Sequence, residues 1–134
     1  MSAHEDHAAN VPTLKEDQQI NIEDLKKRVE NDDVIVVDVR SADEIASAGR
    51  IASNKWLNIP LTELGDALKM SPEEFKEKYV LAKPDTAGND FVFHCAHGRR
   101  GAKATALAIS LGYTNSVNLT GGQSVWKAAY PDAS

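Results

Sequence analysis

The sequence holds one cysteine, Cys95, so no disulfide can form within the chain and no second thiol can resolve an intermediate at the first. It has no apolar run near the roughly 18 residues that a membrane-spanning helix needs. It has no cationic excess either: the formal net charge is −5, and no nucleic-acid or anionic-membrane partner is expected. Met1 to His7 lacks the basic start and apolar stretch of a secretion signal, and lacks the arginine of a mitochondrial leader, so a cytoplasmic location is expected. Internal repeats and low-complexity tracts are absent, which excludes solenoids and arrays. What remains is 134 residues with 42% hydrophobic and 26% charged content, enough for one core without staples.

Residues 1–19 are polar and aperiodic and are expected to form a flexible tail, with one domain over 20–134. His4 and His7 lie in that tail; with Met1 removed, His4 would stand third from a free amine, an arrangement suited to Cu(II) or Ni(II), but no metal role is assigned to it. Asn21 with Asp24 reads as a helix start, and Ile22, Leu25 and Val29 share one helical face. Val34 to Val37 is β-branched with no polar alternation, as in a strand buried on both faces of a parallel sheet. Ser41 with Glu44 and Ser71 with Glu74 read as capping boxes, the second reinforced by Pro72. Short strands are expected at Trp56–Ile59, Phe91–Phe93 and Val117–Leu119. Helices are expected along the Leu61, Leu64, Leu68 stripe, from Gly101 to Leu111, and after Gly121-Gly122. Alternating strands and helices predict an α/β fold, a mostly parallel sheet with helices on both faces.

Cys95 follows a buried strand and precedes Ala96, His97, Gly98, Arg99, Arg100 and Gly101, where a helix begins. Such a strand–loop–helix turn aims backbone N–H groups and the helix's positive end at one point, and two arginines add full charge. These terms favour a thiolate over a thiol. A lone cysteine is more often buried filler; the glycines, the arginines and the helix start tip this one toward a nucleophile.

At this point the residues resemble a family. Cys95 to Arg100 matches the rhodanese loop Cys-x-x-Gly-x-Arg, and Asp38-Val39-Arg40 its Asp-x-Arg element. Asn58-Ile59-Pro60 and Gly121-Gly122 with Trp126 resemble two further family segments, in the family's order. The extra helix at Ser71–Tyr79 and the run from Phe93 to Tyr113 look like the small animal thiosulfate sulfurtransferases that use glutathione. One departure is the Gly49–Asn58 segment, about two residues longer than usual and without Pro-Gly.

The resemblance implies a rhodanese-like fold and a sulfurtransferase with no cofactor. Cys95 would take the outer sulfur of thiosulfate as a persulfide, release sulfite, and pass the sulfur to glutathione, reduced thioredoxin or cyanide. The amides of Ala96 to Gly101 would cradle the anion, Arg99 would meet the sulfonate, and Arg100 would turn inward to Asp38. Asp38 and Arg40 would support the loop, His94 would be structural, His97 would either meet substrate or be solvated, and Trp126 would be core. A monomer is expected. Two alternatives are a persulfide carrier serving a protein partner and a phosphatase on the same fold. The phosphatase is weakened because its arginine would fall at Gly101.

Overall fold

The computed structural model describes residues 11–88 and 91–134; His4 and His7 lie outside the described residues. Five strands form one sheet: β1 (Gln19–Ile20), β2 (Ile35–Asp38), β3 (Trp56–Asn58), β4 (Phe91–His94) and β5 (Val117–Leu119). Their order is β1-β5-β4-β2-β3, and every pair is parallel. The helices are α1 (Ile22–Glu30), α2 (Ala42–Ala48), α3 (Leu61–Lys69), α4 (Pro72–Tyr79), α5 (Arg99–Ser110) and α6 (Gly122–Ala129), with 3-10 turns at Glu16–Gln18 and Pro131–Ala133.

The β-branched run of β2 works as its composition predicts. All four β2 residues are buried, and successive side chains enter opposite cores. On one face Ile35 and Val37 pack with Phe91, Phe93, Leu64, Leu68, Phe75 and Ala104, under α3, α4 and α5. On the other face Val36 packs with Val92, Leu25, Leu119 and Trp126, under α1 and α6. Trp126 is therefore core, and its indole Nε1 donates to Ala133 O at 2.9 Å. Helices do cover both faces.

The local signals set the helix ends. Asn21 Oδ1 accepts from Asp24 N at 2.8 Å, and the capping boxes at Ser41 and Ser71 both close. Several boundaries differ from expectation by a residue or two. Strand β4 runs one residue further, to His94, and α5 begins at Arg99, which leaves a loop of only Cys95 to Gly98 between them. The sequence boundary at residue 19 falls inside β1, which pairs Gln19 with Asn118 and Ile20 with Leu119. A two-residue strand is too short to show a period, so only its partner reveals it.

The long segment after Gly49 is closed by the C-terminal residues. Ala52 N donates to Ala133 O at 2.8 Å, Ile51 is buried, and the Arg50 guanidinium lies 4.2 Å from the centre of the Trp56 ring. No helix of the described residues is long and apolar enough to cross a membrane.

Candidate active site at the carboxyl end of the sheet

Parallel sheets gather their chemistry at the carboxyl ends of the strands. Here the register sets Asp38, the last residue of β2, beside His94, the last of β4. Cys95 is the next residue, in the mouth between two strands. Its loop turns back at Gly98, where φ is +114°, and the Gly98 N–H donates to Cys95 Sγ at 3.0 Å.

Three of the loop's carbonyls are engaged elsewhere. Cys95 O accepts from Gln123 N at 2.8 Å and Ala96 O from Ser124 N at 3.0 Å, both at the start of α6. Gly98 O accepts from Ala102 N at 2.9 Å and from Asn118 Nδ2 at 3.3 Å. With oxygens tied to neighbouring elements, an N–H is left to meet the sulfur. The packing that allows this is tight. A Cβ on Gly122 would lie 2.4 Å from Cys95 O, and one on Gly101 would lie 2.2 Å from Asn118 Oδ1. Cys95 is only 2% exposed, so it lies on the floor of the loop rather than on the surface. A second sulfur bonded to it would stand about 2 Å beyond Sγ.

Beneath the loop lies a sealed polar cluster. Arg40 Nε donates to Asp38 Oδ1 at 2.9 Å and its NH2 to Oδ2 at 2.7 Å; NH2 also reaches Gly49 O at 2.8 Å. Asn58 Nδ2 donates to the carbonyls of Asp38 and Arg40 at 3.0 and 2.9 Å. His94 is fully buried. Its Nδ1 lies 3.3 Å from Cys95 O, and its Nε2 stands 3.5 Å from Asp38 Oδ2, so an acceptor faces each ring nitrogen. Burial pushes the His94 imidazole below its ordinary value, outweighing the opposing pull of Asp38.

The structure corrects one expected pairing. Arg100 does not turn inward to Asp38, whose oxygens are both taken by Arg40. It reaches across to α2, donating from NH1 to Glu44 Oε1 at 2.6 Å and from NH2 to Oε2 at 2.8 Å. This fork, with smaller help from Ser41, draws the Glu44 carboxyl down from 4.5 to about 2, and Glu44 in turn raises Arg100. Arg100 also lies close enough to Cys95 for an ionised sulfur there to interact with it.

Of the residues expected at the site, Cys95 to Gly101 form one continuous loop and helix start, and Asp38 and Arg40 lie beneath it. Arg99 is exposed. His97 is exposed too, and its Nδ1 lies 3.3 Å from Ser124 Oγ. Sequence reasoning missed Glu44, Asn118, Gln123 and Ser124 as members of the site. Glu44 carried a signal, a carboxylate four residues after Arg40, but its capping role accounted for it completely.

The geometry can now be set beside known proteins. Residues 21–129 match the model of the Rhodanese-like domain. The chain belongs to the rhodanese family. This rhodanese is similar to human thiosulfate:glutathione sulfurtransferase, 39% identical over 107 residues that cover 80% of this chain and 90% of the relative. Mouse thiosulfate sulfurtransferase/rhodanese-like domain-containing protein 3 is also 39% identical over 107 residues, of which this rhodanese spans 66% of the length. Among solved structures, human single-domain sulfurtransferase TSTD1 superposes with a TM-score of 0.75 at 38% identity, over 83% of this chain and 96% of that one.

Proposed function

We propose that this rhodanese is a thiosulfate sulfurtransferase that carries a sulfane sulfur on Cys95 and passes it to a thiol. The observation that carries the reading is the Gly98 N–H donating to Cys95 Sγ at 3.0 Å, within a loop whose Cys95, Ala96 and Gly98 carbonyls are engaged by α6, α5 and Asn118. That polarity suits a sulfur anion, first the thiolate and then the persulfide. In the first half-reaction the thiolate attacks the outer sulfur of thiosulfate, that sulfur's bond to the sulfonate breaks, and sulfite departs with the electron pair. In the second, an acceptor thiolate attacks the outer persulfide sulfur and Cys95 leaves as thiolate. Arg99, exposed at the helix start, meets the sulfonate of the donor. Arg100, held by Glu44, adds positive field at the sulfur. Glutathione is the acceptor favoured by the relatives' names, with reduced thioredoxin as a second thiol of the same chemistry.

We further propose that the protein works as a monomer in the cytoplasm. Val80 and Val125 are the only large hydrophobic side chains exposed among the described residues, and they form no broad apolar face.

A phosphatase is disfavoured by packing. The arginine it needs would occupy Gly101, where even a Cβ meets Asn118 Oδ1 at 2.2 Å. The test is steady-state turnover of thiosulfate with glutathione, thioredoxin and cyanide, against hydrolysis of an aryl phosphate, with Cys95→Ser as control. Sulfite release that needs Cys95 is expected. Phosphate release without sulfite would overturn the proposal, and a persulfide discharged only by a protein thiol would make the chain a carrier.

A further inference from the structure

The sequence leaves His97 open between substrate contact and simple solvation. Its surroundings settle the ring's orientation. Ser124 is anchored at the start of α6, its N–H donating to Ala96 O at 3.0 Å. Its hydroxyl has one proton, and that proton goes to Gly121 O at 3.1 Å. The same oxygen therefore accepts from the group facing it at 3.3 Å, the Nδ1–H of His97. The neutral ring has one proton, so fixing it on Nδ1 leaves the lone pair on Nε2. The imidazole thus presents a proton acceptor from the residue just before Gly98, whose own N–H touches the sulfur. It is exposed, where the Cys95 thiol is not.

Besides His97, the charged and titratable groups on the loop, α5 and α6 are Cys95, Arg99, Arg100, Lys103 and Lys127. Neither the loop, α5 nor α6 contains a carboxylate that would compete for a proton. A thiol acceptor brings a proton that must leave before its sulfur can attack.

We propose that His97 is the general base of the second half-reaction, taking the proton of the incoming thiol at Nε2. This rests on the thiol-acceptor reading above. The acceptor S–H bond breaks and the proton goes to Nε2. The thiolate forms a bond to the outer persulfide sulfur, and the bond from that sulfur to Cys95 Sγ breaks with its electron pair on Sγ. The imidazolium then returns its proton to water. Nothing outside the two half-reactions is oxidised or reduced.

The magnitude has a ceiling. A thiol with a pKa near 8.5 is roughly 7% ionised at about pH 7.4, so a base that ionises it on arrival gains about tenfold there, and nothing well above pH 9. The experiment loads the full chain with thiosulfate, removes the excess, and follows loss of the persulfide by rapid quench and mass spectrometry. Glutathione and sulfite serve as acceptors, and sulfite has no thiol proton to lose. For His97→Gln the ratio of the glutathione rate to the sulfite rate should fall about tenfold at about pH 7.4 and recover by about pH 9.5. Ser124→Ala, which frees the ring from its tether, should show a smaller deficit with the same pH dependence. An unchanged ratio in His97→Gln, or a deficit equal at every pH, would overturn the proposal. A wild-type chain that acquires no persulfide would overturn the sulfurtransferase reading as well, so the two failures are told apart before any acceptor is added.

Discussion

Gly122 is where α6 meets the Cys95 loop, and replacing it by alanine should damage stability and turnover together. The residue has φ +64°, which costs an L side chain about 1–2 kcal/mol. The added Cβ would meet Cys95 O at 2.4 Å and the carbonyl carbon and oxygen of Ala96 at 2.9 Å. These are all backbone atoms, with no side chain to swing aside. The start of α6 must withdraw and stretch the bonds from Gln123 N and Ser124 N, now 2.8 and 3.0 Å. At about 1 kcal/mol each, the total cost is about 3–4 kcal/mol. The same withdrawal releases the loop carbonyls, so turnover should fall at least about tenfold. Gly112→Ala is the matched control. Its φ is +101°, but the nearest foreign atom to its Cβ is Thr86 Cγ2 at an ordinary 3.5 Å, far from the loop. It should lose about 1–2 kcal/mol and keep its activity. Urea unfolding and thiosulfate–glutathione turnover of both variants check this. A Gly122→Ala protein as stable and as active as Gly112→Ala would refute the claim that α6 shapes the loop.

Three further outcomes are expected. Asp38→Asn leaves Arg40 buried without a countercharge and should cost about 3–5 kcal/mol, with activity falling as the cluster under the loop disorders; denaturant unfolding measures the first and turnover the second. Because Arg100 holds the Glu44 carboxyl at about 2 instead of 4.5, the pair's contribution is complete above about pH 4.5 and is lost as the pH falls through about 2. Glu44 is 37% exposed, so that contribution is under about 1 kcal/mol. The stability gap between wild type and Glu44→Gln should therefore close on acidification, and a gap independent of pH would contradict the pairing. Arg99→Ala should raise KM for thiosulfate about tenfold with little change in kcat, since it removes a charge-assisted contact to the donor; steady-state kinetics at varied thiosulfate decide.

Much of this molecule is legible in its sequence because the signals are local. The run Val34 to Val37 is too apolar and too β-branched for anything but an interior strand, and the capping boxes at Ser41 and Ser71 fix helix starts within one residue. Cys95 stands out because strand, glycines and helix start lie within ten residues of it. What stayed hidden depends on contacts distant in sequence. Arg100 meets Glu44 across 56 positions, and His97 meets Ser124 across 27. The inward turn expected of Arg100 failed because Arg40, two residues from Asp38, fills that carboxylate first. Strand β1 has only two residues and declares itself through β5.

The central claim is that position 95 holds a transferable sulfur, and sulfite counts it. Mixed with thiosulfate and no acceptor, the protein should release one sulfite per chain in a burst and then stop, and Cys95→Ser should release none. No burst from the wild type, or an equal burst from the serine variant, would contradict the account.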